Sequence, residues 1–78
     1  MNKSTMRKPG TVKYDSGLVG EKYKLSAFAM FDGISDDLLG SDVRLSGLCG
    51  FLYAGAGYSY EVVLPDGTNH WVKGQSIR

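Results

Sequence analysis

Seventy-eight residues allow one domain, and a chain of that length buries only about 60% of its unfolded surface, so its margin of stability is narrow. A hydrophobic content of 42% with five tyrosines, three phenylalanines and one tryptophan excludes a disordered chain, and no window approaches the roughly 18 apolar residues of a membrane span. The net charge of +1 hides an asymmetry: residues 1–24 carry six cations against two acids, a net of +4, and residues 25–78 three cations against six acids, a net of −3.

Residues 1–19 read as a flexible basic arm, poor in large apolar groups and broken by Pro9, Gly10 and Gly17. No apolar core follows the basic start, so it does not have the form of a secretory signal. Thr11–Tyr14 is a candidate short edge strand. Such an arm can stay solvated, or it can touch nucleic acid through Lys3, Arg7, Lys8 and Lys13. The domain is expected over 20–78.

Gly20-Glu-Lys-Tyr-Lys-Leu-Ser-Ala-Phe-Ala-Met-Phe31 aligns without gaps on Gly40-Ser-Asp-Val-Arg-Leu-Ser-Gly-Leu-Cys-Gly-Phe51. Gly20/Gly40, Leu25/Leu45, Ser26/Ser46 and Phe31/Phe51 match identically, and Lys24/Arg44 match in kind. The first segment alone fits either period, since Tyr23, Ala27, Met30 and Phe31 are spaced as on a helix while Tyr23, Leu25, Ala27, Ala29 and Phe31 alternate as on a strand. Gly47 and Gly50 make a helix costly in the second segment, by about 1 kcal/mol each. The repeat therefore predicts strands in both. Between them Ser35-Asp36-Asp37-Leu38-Leu39-Gly40 has a capping serine, acids in the first turn and a terminal glycine, which gives at most one short helical turn near 35–39.

Tyr53-Ala-Gly-Ala-Gly-Tyr58 reads as a flexible loop. Tyr58–Leu64 then alternates and is rich in β formers, and Leu64-Pro65-Asp66-Gly67 is a strong turn. Thr68–Lys73 returns as the second arm, with Val62 opposite His70, Glu61 opposite Trp71 and Tyr60 opposite Val72. Tyr60, Val62, Leu64 and Val72 then share one face, and Trp71 lies on the other. Gly74-Gln75-Ser76 breaks the strand before Ile77, whose side chain is expected to plug a barrel end.

From Gly40 onward the chain reads Gly-x-x-Val-Arg-Leu-x-Gly, a glycine-rich loop, Tyr-x-Tyr-Glu-Val-Val-Leu-Pro-Asp-Gly, His-Trp-Val, and after a short break Ser-Ile-Arg. This resembles the small SH3-like barrels of KOW and Tudor type, a layout found in many small phage- and plasmid-encoded proteins. The resemblance implies an all-β fold, a small SH3-like barrel or rolled antiparallel sheet of about five short strands. The layout is also similar to that of the plasmid-borne type II dihydrofolate reductases, which work as tetramers around a pore. Their pore motif Val-Gln-Ile-Tyr is replaced here by Asn69-His70-Trp71-Val72, so none of the reductase's pore residues carries over.

The inventory for chemistry is thin. Cys49 excludes an intrachain disulfide by being alone, is expected in the core, and fits a reducing, cytoplasmic compartment. Cys49 and His70 lack a third orienting group, and two soft ligands do not make a zinc site. Asp32, Asp36, Asp37 and Asp42 lack the calcium-loop register, and Gly55 and Gly57 lack the lysine of a phosphate loop. No catalytic residue, metal or cofactor is expected. The reading is a non-enzymatic binding module, a small inhibitor or adaptor of phage or mobile-element type, whose protein partner meets Tyr53, Tyr58, His70, Trp71 and Lys73. Self-association is a further expectation, and a nucleic-acid binder using the basic arm and surface rings is the alternative.

Overall fold

Alternating aliphatic and polar residues build the sheet in the computed structural model, which describes residues 8–53 and 57–78. Five strands form one antiparallel sheet: β1 (Lys13–Tyr14), β2 (Lys22–Lys24), β3 (Asp42–Tyr53), β4 (Gly57–Val63) and β5 (Asn69–Lys73). The all-β expectation holds. β3 is the spine, paired on one edge with β2 and then β1, and on the other with β4. Against β4 its register slips between Leu45 and Cys49, where Gly47 takes a φ of +108°. A Cβ there would also meet Val19 Cγ2 at 2.8 Å and Tyr14 Cε1 at 2.9 Å, so the bulge needs glycine twice over.

The hairpin forms in the expected register: Val62 pairs with His70, Glu61 with Trp71 and Tyr60 with Val72. Its turn is closed by Leu64 N–H donating to the Thr68 carbonyl and Gly67 N–H to the Leu64 carbonyl, both at 2.8 Å. Asp66 Oδ1 accepts from the Thr68 hydroxyl at 2.7 Å and its amide at 3.0 Å, and these bonds hold the Asp66 carboxyl below its ordinary value. The loop expected over 53–58 has Ala54, Gly55 and Ala56 outside the described residues, while Gly57 and Tyr58 already belong to β4.

The repeat holds for its first half only. Both glycines take positive φ, Gly20 at 80° and Gly40 at 85°, and the two strands that follow them pair with each other. Both serines accept from the amide two residues on, Ser26 from Phe28 at 3.3 Å and Ser46 from Leu48 at 3.2 Å. The paths then part, which corrects the expectation of a strand through 31. Ala27–Asp32 winds as a 3-10 turn stopped by Gly33 at φ 89°, because none of the described strands pairs with it in a ladder, whereas β1 and β4 hold 47–51 extended. The expected turn near 35–39 is the 3-10 turn Asp36–Leu38, capped by Ser35. Two further 3-10 turns lie at Ser16–Leu18 and Gly74–Ser76.

The core consists of Leu25, Ala29, Ile34, Val43, Leu45, Val62, Leu64 and Val72, with Cys49 also buried, as expected for the lone thiol. None of the described aromatic side chains is buried. Tyr23, Tyr60 and the half-buried Ile77 only lean against this cluster. No helix among the described residues is long and apolar enough to cross a membrane.

Among the described residues β5 has no strand on its far edge, and the sheet stays open there. The Ala27–Asp32 turn covers that edge instead. The Asp32 carboxylate, 1% exposed, accepts from the Lys73 amide at 3.1 Å and from the Ser76 hydroxyl at 2.5 Å, while His70 Nε2 donates to the Asp32 carbonyl at 2.8 Å. Beyond Ser76 the chain end returns to β2, where Lys24 and Arg78 exchange backbone hydrogen bonds of 2.9 and 3.0 Å and Leu25 bridges to Ile77. Truncating Asp32 leaves two buried donors without their charged acceptor. Asp32→Ala is expected to lower the unfolding free energy in urea by about 3 kcal/mol, with Asp32→Asn losing less because it keeps one acceptor oxygen.

Candidate functional site

The residues expected to meet a partner fall into two groups. Tyr58, 43% exposed on β4, packs edge-to-face on Phe51 of β3, with ring centroids 5.6 Å apart at 70°. His70, Trp71 and Lys73 lie half-buried on β5. His70 and the Lys73 amide are tied to Asp32, and Lys73 Nζ stands 4.0 Å from its carboxylate, so both residues hold the edge-covering turn. Trp71 lies opposite Glu61, which accepts from the Ser46 hydroxyl at 2.8 Å. The Tyr53 side chain falls outside the described residues. Of the four basic-arm residues, Lys3 and Arg7 also fall outside them, while Lys8 and Lys13 are exposed, the latter in β1 opposite Cys49.

A serine, a histidine and an aspartate do meet at the β5 edge, but not in a relay. The Ser76 hydroxyl bonds directly to the Asp32 carboxylate, the imidazole bonds to the Asp32 backbone, and Ser76 is 1% exposed. A serine of such a relay needs the imidazole on its hydroxyl and a route for substrate, and this arrangement supplies neither. Among the described residues no three His, Cys, Asp or Glu side chains gather where they can hold a metal ion.

Two surface features escaped the sequence reading. The first is the exposure of Phe28, Met30 and Phe31 on the 3-10 turn, together with Tyr14, Val19 and Phe51. Their helical spacing in the first repeat was the available signal. The second is a group of charges on the outer face of β2 and β3. Lys22 lies opposite Arg44 and Lys24 opposite Asp42, and Arg78 joins them through its pairing with Lys24. Lys24 Nζ bonds Asp42 Oδ1 at 2.7 Å, and Arg44 Nη1 donates to the Gly20 carbonyl at 3.1 Å. Two adjoining depressions open beside these side chains. One of about 360 Å³ runs from Lys22 and Arg44 to Val63, Leu64 and Pro65, and one of about 310 Å³ is lined by Lys22, Tyr23, Lys24, Asp42 and Arg78.

No protein-family model matches the sequence, and no curated protein or solved structure matches it significantly.

The Lys24 hydrogen bond, reinforced by its charge, holds the Asp42 carboxyl below the ordinary carboxylate range. A folded value below the unfolded one makes this carboxylate stabilising above the unfolded value, and that contribution is lost as pH falls through the folded one. Carboxyl NMR titration should place Asp42 below the ordinary aspartate range, and Lys24→Gln should return it toward that range.

Proposed function

We propose that this chain is a non-catalytic binding module on a small SH3-like frame, engaging a protein partner through aromatic side chains held off its core. The frame reading is supported by the long central strand, the tight Pro65–Gly67 hairpin, the 3-10 turn at Gly74–Ser76 and the return of the chain end to β2. The observation that carries the binding reading is the division of the side chains. Every core position is aliphatic or Cys49, while Tyr14, Phe28, Phe31, Phe51 and Tyr58 stand exposed.

Burying large rings is among the strongest stabilising terms open to a chain this small, so rings that the fold leaves outside are apolar surface that a partner can cover. Phe51 and Tyr58 make the best centre for such an interface, since they already form a preorganised pair on two hydrogen-bonded strands. Their register neighbours are Gly50 with Ser59 and Tyr53 with Gly57, none of them charged.

The test is selection from a displayed peptide library with the wild type and with Phe51→Ser/Tyr58→Ser. Both side chains are exposed, so the double variant should keep the wild-type unfolding free energy within about 1 kcal/mol. Enrichment of peptides by the wild type and its loss in the variant supports the reading. Equal enrichment by both proteins overturns it. So does a failure to enrich any peptide together with a dimer in sedimentation that the variant dissociates, which would assign the rings to a second copy.

A further inference from the structure

Arg44 faces Lys22 across the β2–β3 ladder, and Arg78 faces Lys24 where the chain end pairs with β2. Like charges directly opposite on neighbouring strands are destabilising, and this small fold carries the opposition twice on one face. Asp42 is the counter-charge among them: it pairs directly with Lys24 and acts on Lys22 and Arg44 from a greater distance. Glu21, the other acid beside β2, accepts instead from the Tyr23 hydroxyl at 3.3 Å. Among the described residues Lys22, Arg44 and Arg78 make no salt bridge. The bond from Arg44 to the Gly20 carbonyl orients the guanidinium and leaves its other N–H donors free.

These cations line a trough rather than a ridge. The two depressions share Lys22 and Asp42, and the wall facing the cations is apolar, made by Val63, Leu64 and Pro65. Successive outward residues of β2 stand roughly 7 Å apart, so the cations form two rows that match a ligand with repeating charges better than a single anion. A peptide would gain little here. β3 is paired on both edges and β2 lies between β3 and the chain end, so the trough offers no open strand edge for main-chain pairing. Its ligand must be held by side chains alone.

We propose that this trough binds the phosphodiester backbone of single-stranded nucleic acid, with Lys22, Arg44 and Arg78 pairing phosphates and the Val63–Pro65 wall receiving a sugar or base. Asp42 limits the site by occupying Lys24. The nucleic-acid surface thus lies on the sheet, apart from Phe51 and Tyr58, and it stands whether or not those rings bind a protein.

Fluorescence anisotropy with a labelled oligothymidylate, titrated at several salt concentrations, tests this. Three phosphate contacts predict a slope of log K against log salt of about −2 for a single strand, at about −0.7 per phosphate. Lys22→Gln/Arg44→Gln should flatten the slope to about −0.7 and weaken binding. Its melting temperature should stay level or rise, because one like-charge opposition is gone. Asp42→Asn should bind more tightly with a slope steeper by about 0.7, a gain that unfolding cannot imitate. Absence of binding at low salt, or a slope unchanged in the double variant, overturns the proposal. So does a duplex that binds as tightly as the single strand, and equal binding of oligoglutamate would assign the trough to an acidic protein segment.

Discussion

Because β3 is hydrogen-bonded along both edges, its residues have no freedom to turn, and each is committed to the interior or to the outer face. Val43 and Leu45 go inward to meet Leu25, Val62 and Val72, and Arg44 is forced outward between Lys22 and Val63. The interior that results is lined from short strands and takes Val, Leu, Ile and Ala. An aromatic ring brings about 150–250 Å² of surface to bury, and none finds a place in it. The exclusion of rings from the core and the crowding of cations on the sheet thus share one origin.

The open edge of β5 creates the second constraint. An unpaired strand edge invites association with another chain, and here it is covered by a turn that brings a carboxylate to it. Burying Asp32 carries a desolvation penalty, offset by the Lys73 amide, the Ser76 hydroxyl and the nearby Lys73 ammonium. The geometry of that turn then decides what faces solvent. A 3-10 turn repeats every three residues, so Ala29 and Asp32, 0% and 1% exposed, both point inward. Phe28, Met30 and Phe31 must then face out. Protection of the edge and display of these apolar side chains are one arrangement.

Much of the fold was legible because its signals are local. Pro65-Asp66-Gly67 set the hairpin register to the residue, Ser35 with two following acids marked a short turn, and Gly74–Ser76 marked the break before Ile77. Residues 27–32 were misread because their fate depends on neighbours. The same serine-capped start continues as strand at 46–51, where β1 and β4 pair with it, and curls at 26–32, where none of the described strands does. The site was less legible for the same reason. Lys22 and Lys24 read as part of the basic excess of residues 1–24 and Arg44 as a strand residue. Only the register between β2 and β3 brings them together. His70 and Lys73 drew notice as hairpin surface residues, yet their partner, Asp32, lies 38 and 41 residues away in sequence.

The two binding surfaces proposed above sit on one strand, and the length of that strand separates them. The cations gather around Asp42–Arg44, at the start of β3, and the Phe51–Tyr58 pair closes its far end. Seven residues of strand from Arg44 to Phe51 span roughly 20 Å, allowing for the bulge at Gly47. The largest dimension of the molecule is only 29 Å, so the surfaces are nearly as far apart as the domain permits. Ligands held at the two ends would not overlap, and their charges differ enough that neither surface competes for the other's ligand. On this reading β3 acts as a rigid spacer. It can present a nucleic-acid strand at one end and a protein at the other without any change of conformation between them.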